Sequence, residues 1–341
     1  MSELKEWLVD VPVQFNIWIR PECQRRQWEV IKEVRPRILF VVSDGGRNEE
    51  EWALINQNRQ MVDTEIDWDC DVHKLYSDRN YGMYQNQMNA NEYIWERVDR
   101  CIFMEDDNVP AKSFFTFCRD MLEKYKDDLR VSMISGLNVL GDYERPTADY
   151  FFSRSCHVWG FATWKRVYEN YYNFNYGKDP YIMDLIHKET GSRASFRRIM
   201  DAYAVQEYYQ GHKAFEEFFL EFSFFAYHQL AIIPTRNLIS NVGATADSAH
   251  FTDLSELPKA VRQIFNMKTY EHEGEWKHPE YIVPDYYYDK KVQEIYADDG
   301  FNKVKRQIER KVIYIRSGKS VLEGAKRIIK RRAARNREFE K

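Results

Sequence analysis

The feature that most constrains this sequence is a regular alternation of short apolar runs with longer amphipathic segments between residues 13 and 104. The short segments that predict strands lie at 13–19, where apolar residues alternate with others, and at 37–43, 72–76 and 101–104, and the segments with helical spacing lie at 22–34, 48–61 and 84–98. Strands and helices that alternate in this way predict an α/β fold with a mostly parallel sheet and right-handed crossovers. Similar patterns predict a helix at 114–125, strands at 130–135 and 231–234, and mainly helix at 180–230.

The fourth apolar run ends in three consecutive carboxylates, Glu105, Asp106 and Asp107. The run predicts a strand that is covered on both faces, and Pro110 should prevent its ladder from continuing. Ligands of open α/β sheets bind at the carboxyl ends of the strands. Adjacent carboxylates repel one another, so Mg²⁺, Mn²⁺ or Ca²⁺ would stabilise the cluster. A solvated acidic turn is the alternative that this segment alone leaves open.

Composition and cysteine spacing exclude several classes of protein. The chain has 341 residues, and its 44% hydrophobic content suffices for one large α/β domain or two smaller ones. Five cysteines without CxxC spacing argue against a disulfide framework or a zinc ribbon and favour a reducing cytosol. Because no signal-peptide pattern and no run of about 18 apolar residues occurs, we expect a protein that is neither secreted nor membrane-spanning.

Residues 303–341 form a basic module with 15 Lys and Arg against four Glu. Its net charge of +11 leaves −15 on the rest of the chain, within the overall −4. Apolar residues alternate with these cations at Ile308, Val312, Ile315, Leu322, Ala325, Ile328 and Ile329. This pattern predicts an amphipathic helix on an anionic membrane surface. Nucleic-acid binding and a merely solvated helix are the alternatives, and we favour the membrane.

An ordered set of short motifs gives the sequence a family resemblance. The motifs are RPE (20–22), SDGGR (43–47), RNYGM (79–83), FMEDDNVP (103–110), ISGLN (134–138), WGFATWKR (159–166) and NLISNVG (237–243). Together they resemble bacterial glycosyltransferases of the GT-A type, and more narrowly the hemolytic-protein-like nucleotide-sugar transferases. The resemblance covers about residues 12–251 and implies a GT-A, Rossmann-like fold with the acidic cluster at the position of the DxD motif.

The resemblance implies roles for the acidic cluster. Asp107 would ligate Mn²⁺ or Mg²⁺, which neutralises the charge that grows on the leaving nucleoside diphosphate. Glu105 and Asp106 would contact the ribose or hold metal-bound waters. His250, which follows Asp247 in the expected spacing, would reach the metal or the diphosphate, and a solvated loop histidine is the alternative.

Nucleotide contacts are expected at the ends of the first strands. Arg20, Asp44, Gly46 and Arg79 are the candidates for base, ribose and phosphate contacts, with Arg79 favoured for phosphate because of its charge. Arg47 ranks lower. Ordinary exposed polar residues are the alternative for all of them.

The acceptor side is expected in the second half of the chain. Trp159, Gly160 and Phe161 combine flat aromatic faces with a backbone that a sugar can approach, and core packing is the competing interpretation. An inverting transferase also needs a carboxylate base. The resemblance points to a helical acidic residue about 20 positions before residue 237, which is Glu217. Glu216 and Glu221 are close alternatives, and Glu221 shares a helical face with Glu217. The sequence departs from the family here, where an Asp after a Trp is more usual.

These interpretations combine into one hypothesis. Residues 1–145 would bind the nucleotide sugar, residues 146–255 would bind the acceptor, and residues 256–341 would form a helical extension that ends in the basic tail. The protein would transfer a sugar, from a UDP-linked donor, to a saccharide or lipid-linked saccharide acceptor in surface polysaccharide synthesis. It would act at the inner face of the bacterial cytoplasmic membrane and bind no nucleic acid. A sugar-nucleotide nucleotidyltransferase and a catalytically silent sugar-binding or scaffold protein remain the alternatives.

Overall fold

An eight-stranded sheet flanked by helices forms the centre of the protein. The structure is a computed structural model, and it describes residues 4–171, 179–189, 224–243, 254–296 and 300–316. Within these ranges the strands are Val13–Asn16 (β1), Ile38–Ser43 (β2), Asp71–Tyr76 (β3), Arg100–Met104 (β4), Asn108–Pro110 (β5), Val131–Ser135 (β6), Tyr150–Ser153 (β7), Phe161–Trp164 (β8), Leu230–Pro234 (β9) and Ile239–Asn241 (β10). The helices are Pro21–Val34 (α1), Glu49–Glu65 (α2), Met83–Trp95 (α3), Lys112–Lys124 (α4), Lys165–Tyr171 (α5), Pro180–Glu189 (α6), Lys259–Arg262 (α7), Tyr286–Tyr296 (α8) and Gly300–Arg316 (α9).

The strand order in the large sheet is β3-β2-β1-β4-β8-β6-β9-β7. Strands β3, β2, β1 and β4 are parallel neighbours, while β8 and β7 run antiparallel to the strands beside them. The chain moves outward from β1 to β2 and β3, then returns to place β4 on the other side of β1. In open α/β sheets a reversal of this kind marks the crevice, at the carboxyl ends of the strands, where ligands bind, and here it falls between β1 and β4. The α/β fold with a mostly parallel sheet is confirmed.

Apolar packing explains why these elements form where they do. Strands β2 and β4 are continuous apolar runs because both of their faces are covered, as is usual for parallel strands in α/β folds. Helix α1 begins at Pro21, a favoured first helical residue, and packs the fully buried Trp28 against Phe15 of β1. The side chains of Phe114 and Phe117 on α4 are also completely buried. Each such side chain contributes about 1.5–3 kcal/mol through burial.

Three short strands differ from the sequence predictions. Phe161, expected at the acceptor surface, is the first residue of the strand β8, which lies between β4 and β6. Strand β5 follows directly on the acidic cluster, so that Pro110 ends a separate two-stranded ladder with β10 instead of simply stopping the main one. The segment 237–243, for which the sequence offered a motif but no strand, supplies β10.

Residues from distant parts of the chain share one hydrophobic core. This core extends from Val9 to Val292 and includes the completely buried Tyr288 of α8. The two predicted halves contribute strands to a single sheet, since β8 lies between β4 and β6. The domain limits at residues 145 and 255 stay predictions.

We expect stability to fall in mild acid because of His157. This side chain is buried beside Tyr288, and burial lowers its pKa to about 4. The unfolded chain gains a proton at His157 below its ordinary pKa of about 6.5, while the folded protein does not, so folding loses about 1.4 kcal/mol per pH unit between these values. Urea unfolding at pH 7.5 and pH 5 should show a smaller pH dependence in His157→Gln than in the wild type. His187→Gln, at a less buried position, is the control. An equal change in the free energy of unfolding between pH 7.5 and pH 5 in all three proteins would contradict the expectation.

Candidate functional site

A buried ion cluster lies at the crevice between β1 and β4. Arg20 Nη1 is 2.9 Å from Asp107 Oδ2 and 3.6 Å from Asp106 Oδ1. Its side chain is only 10% exposed, against 23% for Asp106 and 17% for Asp107. The parallel pairing of β1 with β4 produces this contact, because the segments that follow the two strands leave the sheet side by side.

The cluster is short of positive charge. Burial raises the pKa of both Asp106 and Asp107, and the negative charge of Asp106 raises the pKa of Asp107 further. The positive charge of Arg20 opposes both changes. One guanidinium therefore stands against two carboxylates that are poorly hydrated. The Nε–H of Arg20 is buried and has no hydrogen-bond partner within the part of the chain that the structure describes. A cation beside the carboxylates and an anion beside Arg20 would both improve the electrostatics.

Two glutamines of α1 hold the backbone of the acidic turn. Gln27 Nε2 donates to the carbonyl oxygens of Glu105, at 2.6 Å, and of Asn108, at 2.8 Å. Gln24 Nε2 donates to the carbonyl oxygen of Asp106 at 3.4 Å. Both glutamines are completely buried. Sequence reasoning missed them, although they share the buried face of α1 with Trp28 and Ile31, where a polar residue is unusual.

The ladder between β5 and β10 closes the other side of the cluster. Asn241 Nδ2 donates to Asp107 Oδ1 at 3.0 Å, and the Val242 amide donates to the Asp107 carbonyl oxygen at 2.9 Å. A Cβ at Gly243 would lie 1.9 Å from Asp107 Oδ2, so only glycine fits there. The motif NLISNVG thus includes two residues that hold Asp107. The motif alone had given neither Asn241 nor Val242 a role in the site.

Asp44 holds a second loop together at the ends of β2 and β3. Its Oδ1 accepts from the amides of Gly45 and Tyr81, both at 2.9 Å. Its Oδ2 accepts from Asn80 Nδ2 at 3.0 Å and from the Gly82 amide at 2.9 Å. These four donors occupy the carboxylate, which was expected to contact a nucleotide directly. These bonds support a positioning role for Asp44, and its contact with a nucleotide stays a prediction.

The other expected nucleotide contacts lie around this loop. Arg79 is exposed, with its guanidinium 4.6 Å from the centre of the Tyr81 ring. A Cβ at Gly45 would come within 2.3 Å of the Arg79 backbone, and one at Gly46 would meet Trp52 at 2.9 Å. The glycine pair therefore allows close packing within the protein. Arg47 forms an ion pair with Glu51 and lies over Trp18.

A further arginine, missed in the sequence, joins the ends of β2 and β3. Arg59 donates to the carbonyl oxygens of Ser43, at 3.0 Å, and Ser77, at 2.9 Å. Burial lowers its pKa, and its guanidinium lies 4.7 Å from the centre of the Tyr76 ring. Arg59 is a positioning residue for the loop that carries Arg79.

The expected acceptor residues divide between core and surface. Phe161 is buried and stacks on Phe103 with ring centres 5.0 Å apart, so this ring offers no face to a sugar and the core-packing interpretation applies. Gly160 has φ of +66°, and a Cβ there would lie 2.5 Å from Ile239. Trp159 is partly exposed and packs on Phe265, and its acceptor role stays a prediction.

Several predicted site residues lie outside the described residues. They are the base candidates Glu216, Glu217 and Glu221, the pair Asp247 and His250, and residues 317–341 of the basic tail.

The described residues fit a divalent metal that arrives with a diphosphate. No three His, Cys, Asp or Glu side chains converge as a complete protein site in the described ranges. Mg²⁺ and Mn²⁺ need no such cage, because one or two carboxylates plus substrate phosphates and waters complete their coordination. Asp106 and Asp107 would supply the carboxylates, and the buried Nε–H of Arg20 would supply a donor for a phosphate oxygen.

Comparisons with solved structures found several similar chains at low identity. One is a mannosyltransferase from Pyrobaculum calidifontis in complex with GDP-Man and Mn²⁺ (15% identity, TM-score 0.33, covering 49% of this chain and 50% of that one). A second is an apo UDP-glucose pyrophosphorylase (8% identity, TM-score 0.34, covering 70% of this chain and 93% of that one). A third is glucosyl-3-phosphoglycerate synthase from Mycobacterium tuberculosis in complex with Mn²⁺, UDP and phosphoglyceric acid (9% identity, TM-score 0.26, covering 49% of this chain and 65% of that one). No family model matches, and no curated protein matches. The chain thus matches half the length of the mannosyltransferase.

Asp44→Asn should loosen the loop at residues 79–82. In the wild type, N–H donors face both carboxylate oxygens of Asp44. In the variant, an amide NH₂ replaces one of these oxygens, so its donors lose their acceptor, at a cost of about 1–3 kcal/mol. Hydrogen exchange of the amides of residues 79–82 should become faster, and the urea midpoint should fall. Asp78→Asn changes an exposed carboxylate in the same loop and should leave both unchanged. Wild-type exchange in Asp44→Asn would rule out the positioning role.

Proposed function

We propose that this protein is a metal-dependent glycosyltransferase that uses a nucleoside diphosphate sugar, UDP-linked, as donor. The supporting observation is the meeting of Arg20 with Asp106 and Asp107 in the crevice at the carboxyl ends of β1 and β4. Two carboxylates short of positive charge, next to a guanidinium with an unpaired N–H, are suited to a metal and a diphosphate together.

The residues around the crevice would divide the work of donor binding. A bound Mn²⁺ or Mg²⁺ would neutralise charge on the departing diphosphate, held by Asp107 with Asp106 as the second carboxylate. Glu105 would contact the ribose or metal-bound waters. Arg20 would donate to a phosphate oxygen while its other nitrogens keep the carboxylates in place. The glutamines of α1 and Asn241 would keep this arrangement rigid before the donor binds.

The loop organised by Asp44 would form the nucleotide side of the site. Arg79 remains the candidate for a phosphate or base contact, because its guanidinium is exposed and lies over Tyr81. Asp44 and Gly46 would shape the loop instead of touching the nucleotide themselves.

The acceptor and its location complete the proposal. The acceptor would be a saccharide or a lipid-linked saccharide of surface polysaccharide synthesis, bound on the side of Trp159, and the reaction would invert the anomeric centre. Peripheral attachment at the inner face of the cytoplasmic membrane belongs to the same proposal. In the ranges that the structure describes, no helix has both the length and the apolar content to cross a bilayer.

A sugar-nucleotide nucleotidyltransferase is less well supported. Such an enzyme would normally carry a glycine-rich, lysine-bearing loop after its first strand. Here β1 ends at Asn16 and α1 begins at Pro21, and the four intervening residues contain neither glycine nor lysine. A silent sugar-binding or scaffold protein would keep the fold without donor turnover.

Asp107→Asn should reduce donor turnover by about 10²–10³-fold with saturating Mn²⁺, because an amide neither neutralises the metal nor balances Arg20. Release of nucleoside diphosphate from the nucleotide sugar measures this directly. Asp127→Asn, an exposed carboxylate near the end of α4, is the matched control and should behave as wild type. Wild-type turnover in Asp107→Asn would remove the metal site from the proposal.

The single substitutions Glu217→Gln and Glu221→Gln should show which of the two glutamates is the base. One substitution should abolish transfer to an acceptor while leaving donor binding intact, because a base acts only on the acceptor hydroxyl. Transfer and donor affinity are measured on the same preparations. Full transfer in both variants would reject the assignment of the base to this pair.

A further inference from the structure

Helix α9 presents its apolar side to solvent. Phe301, Val304, Ile308, Val312 and Ile315, here called the outer stripe, recur at intervals of three and four residues and so lie along one side of the helix. All five are exposed, from 41% for Val312 to 81% for Phe301. A stripe of five exposed apolar side chains on one helix indicates a surface that binds something.

Two polar residues outside the stripe, Arg306 and Glu309, attach α9 to the protein. Arg306, with a side chain only 11% exposed, donates to the carbonyl oxygen of Ile295 at 2.9 Å. Glu309 accepts from the amide of Lys259 at 2.7 Å and from Arg306 at 3.2 Å. Helices on globular proteins normally bury the apolar side and expose the polar one. Ile313, on the same side as Arg306, is only partly exposed, whereas the five residues of the outer stripe stay exposed on a helix that is already anchored.

Positive charge lies on both sides of the outer stripe. At 3.6 residues per turn, Lys305 and Lys311 fall about 60° to either side of its centre. Both are exposed. The sequence from residue 303 onward carries a net charge of +11. Long basic side chains beside an apolar stripe can extend to lipid headgroups while the stripe enters the interface.

We propose that the outer stripe of α9 docks on an anionic lipid surface. Charge decides between this occupant and a second copy of the chain. Pairing two outer stripes would bring two strongly basic segments together, whereas an anionic bilayer attracts each Lys and buries the apolar side chains as well. The inference deepens the membrane part of the proposed function and is independent of its catalytic part, since lipid binding needs no nucleotide sugar.

Cosedimentation of the full chain with vesicles tests the proposal. The probes are vesicles of phosphatidylglycerol mixed with phosphatidylcholine and vesicles of phosphatidylcholine alone. The wild type should bind the anionic vesicles at least tenfold more tightly than the zwitterionic ones, and added salt should reduce the difference. Phe301→Ser combined with Ile308→Ser should weaken binding to anionic vesicles at least tenfold, because two apolar anchors are lost.

Charge and control variants make the test specific. Lys305→Glu combined with Lys311→Glu should also weaken binding to anionic vesicles at least tenfold and remove most of its salt dependence. Leu129→Ser and Lys126→Glu change an exposed apolar and an exposed basic residue elsewhere and should bind as wild type. Because all of these positions are exposed, circular dichroism should show that every variant is folded.

Three results would overturn the proposal. The first is unchanged vesicle binding in the serine variant, which would assign binding to the basic tail alone. The second is a wild type that forms a dimer and does not bind vesicles, together with a serine variant that is a monomer. This result would make a second copy of the chain the partner of the outer stripe. The third is a wild type that binds single-stranded RNA tightly and does not bind vesicles, with RNA binding lost only in the charge variant. Turnover of the donor with Mn²⁺ in vesicle-free solution is scored separately, so failure of lipid binding and failure of the proposed activity are distinguishable.

Discussion

The parallel pairing of β1 with β4 is the interaction on which the candidate site depends. Its register sets Val13 opposite Ile102 and Phe15 opposite Met104, so the segments leaving the two strands emerge together. Arg20 then meets the acidic cluster, and α1, which starts one residue later, brings Gln24 and Gln27 beneath the same turn. A slip in this register would separate the guanidinium from the carboxylates and leave buried charges unpaired, which is strongly unfavourable.

The site combines rigidity with incomplete charge compensation. Glutamine amides from α1, the Asn241 side chain and the Val242 amide fix the turn that bears Asp106 and Asp107, while partial burial limits the hydration of both carboxylates. Arg20 balances only one of the two charges. A preorganised site of this kind favours a ligand that brings positive and negative charge together, as a metal diphosphate does. Hydrogen bonds from Asp44 and Arg59 hold the neighbouring loop, which carries Arg79.

Local patterns in the sequence were sufficient to predict the parallel part of the fold. Strands β2 and β4 are apolar runs ended by polar residues, and α1, α2 and α4 show clear helical spacing. Strand β8 was missed because four residues buried on both faces do not alternate, so its aromatic side chains suggested a binding surface. The ladder of β5 with β10 was missed because it joins residues more than 100 positions apart. The acidic cluster was located from the sequence, but its partners Gln24, Gln27 and Asn241 come from elements whose packing only the structure defines. For Asp44, a carboxylate at a strand end suggested a ligand contact, and tertiary hydrogen bonds give it a structural role.

The central claim is that this crevice binds a nucleotide sugar through a divalent metal. Titration calorimetry of the wild-type protein with a panel of nucleotide sugars, each with and without Mn²⁺, tests it most directly. We expect one donor to bind with an affinity at least tenfold higher when Mn²⁺ is present, because the metal links the carboxylates to the diphosphate. Binding that is absent for every donor, or equal with and without the metal, would contradict the account.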